Sequence, residues 1–200
     1  MTQNPKPLSL YVHVPFCKAK CTYCDFYSII GRENSIPEYL KSILKEIEQK
    51  TRELDLSGHY LDTIFFGGGT PNLLEPNHLR QLLDMLLGLT QAGNEMEIGM
   101  EINPGEASLK NLIAYKAQGI NRVSIGMQSF QPHLLSFMSR IHSAEKSFST
   151  YDDVRKAGFQ NVSGDLIFAV PGQTRDEWVG DLERLVSMQP EHISTYSLTV

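Results

Sequence analysis

YVHVPFCKAKCTYCDFYS, Tyr11 to Ser28, carries all three cysteines of a 200-residue chain. Its opening is the end of a buried strand, LSLYVHV from Leu8 to Val14. Pro15 has no N–H to offer a ladder, so the strand stops there and a loop begins. That loop holds Cys17, Cys21 and Cys24 at C-x3-C-x2-C spacing. Three thiolates this close together can wrap one soft metal centre. An odd, clustered set is a poor disulfide framework. Buried free thiols and a zinc site both remain open as readings. Structural zinc wants four protein ligands, and near the loop only His13 could complete a Cys3His set. An iron–sulfur cube has four iron corners, so three cysteines leave one corner open to a substrate or cofactor.

Beyond this loop the chain repeats one order: strand, polar or glycine-rich turn, helix. From Pro37 onward Leu40, Ile43, Leu44 and Ile47 share a helical face, with Pro37 and Glu38 suited to the first turn. The second strand, TIFFGG (Thr63–Gly68), runs into GGGTPN, and Leu79, Leu82, Leu83, Leu86 and Leu87 mark the next helix. The third, MEIGMEIN (Met96–Asn103), ends at Pro104-Gly105, and a helix over 109–118 is closed by Gly119. The fourth, RVSIGMQSF (Arg122–Phe130), leads to helical segments around Leu134–Met138 and from Phe148 to Ala157. The fifth, NVSGDLIFAV (Asn161–Val170), precedes a helix marked by Trp178, Leu182, Leu185 and Val186, and HISTYSLTV (His192–Val200) is the sixth. Six strands separated by helices predict βα units and a mainly parallel sheet. Right-handed crossovers leave an open doubly wound sheet or a partly closed barrel. In either, a ligand site belongs at the C-terminal strand ends, where the cysteine loop, GGGTP, EINPG, MQSF and Asp165 all fall.

Residues 1–7 are expected to be a flexible N-terminal segment and residues 8–200 one core domain. A chain that stops inside its sixth strand looks like an excised domain. Asp+Glu 23 against Lys+Arg 18 gives a net charge of -5 with no long basic run, so there is no electrostatic case for nucleic acid. No window reaches the roughly 18 apolar residues of a membrane span, and the N-terminus does not resemble a signal peptide; a cytoplasmic protein is expected.

C-x3-C-x2-C, with Tyr23 just before its last cysteine, resembles the signature of radical S-adenosylmethionine (radical SAM) enzymes. Together with FFGGGTPNLL, EINPGE, INRVSIGMQSF, DLIFAVPGQT and HISTYSLTV it is similar to the oxygen-independent coproporphyrinogen III oxidase-like branch, and within it to the heme chaperone group. The resemblance implies an α/β fold, a partial (β/α)6 TIM-like barrel, followed in relatives by a C-terminal domain. It also implies a [4Fe-4S] cluster on Cys17, Cys21 and Cys24, whose open iron chelates S-adenosylmethionine, and heme as a further ligand. Gly68, Gly69 and Thr70 would receive the methionyl amino group and Glu101 its charge or the ribose. Gln128 and Asp165 would meet the ribose, Arg140 the carboxylate, and Tyr11 would flank cluster and cofactor. Phe16, Tyr23, Phe26 and Tyr27 would shield the cluster, and His13 and His142 are candidate heme contacts.

Implied partners are membrane-bound respiratory heme acceptors and a second copy of the chain. Two departures matter. The oxidases carry an additional cysteine where this chain has Phe26, which counts against porphyrinogen decarboxylation. Relatives also commonly have glycine before the arginine, where this chain has Ser139. Coproporphyrinogen oxidation and a zinc-stabilised non-enzymatic domain are the alternative functions.

Overall fold

The computed structural model describes residues 4–198. Six strands form one sheet in chain order: β1 (Lys6–Val14), β2 (His59–Gly68), β3 (Ala92–Ile102), β4 (Arg122–Gln128), β5 (Val162–Phe168) and β6 (His192–Ser197). Every neighbouring pair is parallel. Parallel neighbours need long crossovers. These are supplied by α1 (Ile36–Glu53), α2 (Pro76–Leu87), α3 (Leu109–Ala117), α4 (Pro132–Phe137) with α5 (Ala144–Lys156), and α6 (Arg175–Ser187).

A doubly wound sheet reverses its strand order at a switch point, and this one never does. Unbroken order is barrel winding. Among the described residues β1 and β6 do not pair, so the barrel is partial.

Strand alternation divides the residues between two faces. Val12 and Val14 of β1, Ile64 and Phe66 of β2, Met100 and Ile102 of β3, and Val123 and Ile125 of β4 are buried against the helices. Leu79, Leu82, Leu83 and Leu86 of α2 and Leu112 and Tyr115 of α3 meet them there. Burying each such side chain contributes roughly 1.5–3 kcal/mol. The opposite parity faces the barrel interior and carries Glu101, Ser124 and Asp165.

Strand bounds differ from the sequence reading in informative ways. β1 begins at Lys6, where Lys6 and Pro7 pair with His59 and Tyr60; an edge strand tolerates the proline. Of the rest of the expected flexible segment, Asn4 and Pro5 lie outside any element and residues 1–3 lie outside the described residues, as does the end of the sixth strand at Thr199 and Val200. β4 and β5 end at Gln128 and Phe168 rather than Phe130 and Val170. Left-handed backbone at Gln128 (φ 65°) and Ala169 (φ 59°) turns the chain out of the sheet at those points.

Candidate functional site

The cysteine loop is fixed to the barrel before any ligand is considered. Two short parallel segments, Phe16–Cys17 and Ile29–Ile30, close its base. The Lys20 ammonium donates to Phe26 O at 3.0 Å and Ser28 Oγ at 2.8 Å, and Thr22 Oγ1 donates to Phe137 O at 3.0 Å. All three cysteines are free and half-buried. Burial pushes the Cys17 thiol up, against hydrogen bonds from Thr70 and Ser28 that lower it. Thr70 Oγ1 donates to Cys17 Sγ at 3.7 Å, and Arg140 Nη1 donates to Cys21 Sγ at 3.5 Å.

The loop roofs a cavity of about 610 Å3 at the C-terminal strand ends. Cys17, Cys21 and Cys24 line it, as do Gly68, the last residue of β2, and Gly69 and Thr70 after it. Glu101, Gln128, Arg140 and Asp165 complete the set from β3, β4, the segment after α4, and β5. Residues up to 148 positions apart, from Cys17 to Asp165, therefore share one space.

At Gly69 a Cβ would lie 2.6 Å from Phe16 O and 2.9 Å from Cys17 Sγ, so only glycine lets the β2 turn lie against the cysteine loop. Gly68 has φ +114°, and its N–H donates to Glu101 Oε2 at 3.1 Å. Burial raises the Glu101 carboxyl to about 7; the Gly68 N–H opposes this and the Asp165 charge adds to it. Asp165 is likewise raised, mainly by burial, although Ser124 Oγ lies 2.8 Å from each of its oxygens. Two buried carboxyls on one wall favour a cationic ligand.

Arg140 is held by Asn103 Oδ1 at 2.7 Å and Gly126 O at 2.9 Å, both to Nη2. Among the described residues its buried Nε has no hydrogen-bond partner. A guanidinium with an unused donor at a cavity wall suits an anionic group. The residue before it explains the departure from the glycine of relatives. Ser139 takes φ 57° just past α4; its N–H donates to Ser136 O at 3.0 Å and the Arg140 N–H to Leu135 O at 2.9 Å. That paired pattern is a Schellman cap, whose left-handed position favours glycine. Serine keeps the turn.

The aromatic residues near the cysteines are placed differently from one another. Tyr23 and Phe26 line the cavity, and Tyr23 packs against the small apolar cluster of Leu134, Leu135, Met138, Ile167 and Val170. Phe26 is nevertheless 68% exposed, and Tyr27, at 74%, is off the cavity. Phe16 is 2% exposed and packs edge-on to Tyr39 in the core, on the helix-facing parity of Val12 and Val14. Tyr11 stacks on Phe65 and stands near Glu101, and does not line the cavity.

Neither histidine lines the cavity. Tyr11 Oη and His13 Nδ1 are 3.2 Å apart, and His13 Nε2 donates to Tyr27 O at 2.8 Å, so both ring nitrogens are occupied. His142 Nε2 donates to Met127 O at 3.2 Å, and burial, with Arg140 adding to it, lowers its pKa to about 4. Sequence reading also missed wall residues, chiefly Asn103, Ser124 and Gly126. Ser124 and Gly126 alternate with buried Val123, Ile125 and Met127, a signal that was available.

Among the described residues no three His, Cys, Asp or Glu side chains converge to hold one metal ion. A cubane asks for something different: each cysteine takes its own iron corner, so the sulfurs must face a common space rather than meet at a point. Three thiols on one cavity wall, two of them already accepting hydrogen bonds, meet that requirement. The glycine cradle and the unpaired Arg140 Nε fit the polar end of a small ligand beside them.

The Radical SAM superfamily profile matches residues 11–185. The chain belongs to that superfamily. Within it, the chain is similar to Heme chaperone HemW of Buchnera aphidicola (37% identical over 97% of this chain and 51% of the relative). The HemW proteins of Bacillus subtilis and Escherichia coli are 36% and 35% identical, over 50% and 51% of their lengths. The chain thus spans about half the length of the curated relatives it matches. Among solved structures, coproporphyrinogen III oxidase (HemN) from Escherichia coli superposes with a TM-score of 0.89 at 30% identity, over 99% of this chain and 45% of that one. Methylornithine synthase (PylB), at 12% identity and TM-score 0.66, shares the fold alone. No helix among the described residues is long and apolar enough to cross a membrane.

Proposed function

We propose that this chain is the cofactor-binding half-barrel of a heme chaperone. Cys17, Cys21 and Cys24 hold three irons of a [4Fe-4S] cluster. Gly68, Gly69, Thr70, Glu101, Gln128, Arg140 and Asp165 hold S-adenosylmethionine. The observation that carries this is the one cavity that gathers those ten residues from the C-terminal parts of five strands, the loops after them and the segment after α4. When bound, the cluster supplies the electron that cleaves the sulfonium of its cofactor. The protein's own residues bind and orient: Glu101 and Asp165 offer carboxylates to positive charge, and Arg140 offers N–H donors to a carboxylate. Tyr23 closes the apolar side of the cysteine loop, where it excludes water.

The chaperone reading is supported by similarity to HemW proteins and by Phe26, which stands where the oxidases carry a further cysteine. Heme would then pass to membrane-bound respiratory acceptors, with a second copy of the chain as a further partner. A second reading, coproporphyrinogen III oxidation, is favoured by the superposition on HemN and by the commitment of both His13 and His142 to other hydrogen bonds, which leaves no ready axial ligand among the candidate histidines.

Anaerobic reconstitution with iron and sulfide tests the common part. A reduced-cluster spectrum that changes on adding S-adenosylmethionine and is lost in Cys21→Ala is expected; an insensitive spectrum overturns open-iron chelation. The two readings separate with coproporphyrinogen III as substrate. Stoichiometric heme capture without protoporphyrinogen IX is the chaperone result, and multiple turnovers to that product are the oxidase result.

A further inference from the structure

We infer that Asn103 is a positioning residue that sets the reduction potential of the cluster by aligning hydrogen-bond donors on two of its three thiolates; the inference rests on the cluster assignment proposed above. Asn103 follows β3, and its backbone N–H donates to Oδ1 of buried Asn72 at 3.1 Å, which fixes its place. Its Nδ2 donates to Thr70 Oγ1 at 3.0 Å and to Glu106 Oε2 at 2.9 Å, so both amide hydrogens are used. Its Oδ1 accepts from Arg140 Nη2 at 2.7 Å. The reverse amide orientation would set donor against guanidinium and acceptor against carboxylate, so only one orientation satisfies the site.

The consequences reach the sulfurs. Because Thr70 Oγ1 accepts a hydrogen bond from Asn103 Nδ2, its own hydroxyl hydrogen is free to point at Cys17 Sγ, 3.7 Å away. Because Nη2 of Arg140 is tied to Asn103 and Gly126, Nη1 is directed at Cys21 Sγ at 3.5 Å. One carboxamide therefore sets two donors, one on Cys17 and one on Cys21. Hydrogen bonds to cluster sulfurs favour the more negative, reduced state and raise the potential.

The test is a potentiometric titration of the anaerobically reconstituted chain, followed by electron paramagnetic resonance at an electrode-controlled potential. Asn103→Ala and Thr70→Val are each expected to lower the potential. The Asn103→Ala shift should be smaller in the Thr70→Val background, since part of it acts through Thr70. An unchanged potential in Asn103→Ala at equal iron content overturns the inference, and so do fully additive shifts. If Asn103→Ala does not fold, Thr70→Val decides alone, because an unaltered potential there removes the Cys17 arm. A parent protein that holds no four-iron cluster overturns the functional reading and this inference together. A parent that holds one while the variants leave its potential unmoved overturns only this inference.

Discussion

The Ser129 hydroxyl donates to Oδ2 of Asp181 at 2.5 Å, and Asp181, on α6, is fully buried. The same carboxylate accepts from the Phe130 N–H at 3.2 Å and Gln131 Nε2 at 3.0 Å. It thereby grips the three residues that follow Gln128, whose left-handed backbone ends β4 at the cavity. Asp181→Ala leaves these donors buried without a partner, at about 1–3 kcal/mol for each group left unsatisfied. The expected loss of stability is about 2–4 kcal/mol in urea denaturation. A loss below about 0.5 kcal/mol would mean that water replaces the carboxylate.

Arg140→Ala should weaken S-adenosylmethionine binding to the reconstituted protein by roughly 1.5–3 kcal/mol, the range for a hydrogen bond to a charged group. Arg140→Lys should recover only part of this, since an ammonium lacks the planar fork. Calorimetric titration reads both. Equal affinity in Arg140→Ala and parent would remove Arg140 from the ligand site.

Glu101 gives a pH dependence with a definite sign. Its carboxyl is raised from 4.5 to about 7, so the fold favours the protonated form. The stability it contributes is fully present below pH 4.5 and is lost as pH rises through about 7. Glu101→Gln removes the titration. Urea midpoints of the parent relative to this variant should therefore fall between pH 4.5 and pH 8, whereas parallel curves would show that Glu101 is not buried as described. A cationic ligand should show the opposite trend, binding the parent more tightly as the carboxylate ionises.

Ser139 occupies a backbone region that costs an L-residue about 1–2 kcal/mol, partly offset in glycine by about 0.5–1 kcal/mol of extra chain entropy. Ser139→Gly should stabilise the protein by about 0.5–1 kcal/mol in chemical denaturation, with the Arg140 position unchanged. Destabilisation would show that the serine hydroxyl makes a contact the turn needs.

Periodicity made the six strands and their helices legible, because each strand has one face against helices and each helix one face against the sheet. It did not choose between barrel and doubly wound sheet; that depends on which strands pair, a tertiary fact. The same alternation would have placed Phe16 correctly, since it continues the parity of Val12 and Val14 across Pro15. Proximity to Cys17 drew it instead into the cluster's surroundings. Gln128 was legible as a polar strand end but not as a left-handed residue, because the segment that follows it is tied to Asp181 by contacts 50 to 52 positions long that nothing local announces. Asn103 was legible only as the end of a strand. Its partners Thr70 and Arg140 lie 33 and 37 positions off, and nothing local announces them.

Because the walls of the cavity come from successive strand ends, no short stretch of the chain contains a working fragment of it. Until β1 to β5 have paired, the cysteines sit on an unsupported loop with Thr70 and Arg140 elsewhere. Such parallel pairings are long-range and slow to form. A cluster held as proposed would therefore be loaded last, after the nascent thiols had stood exposed to oxygen for as long as the sheet takes to assemble.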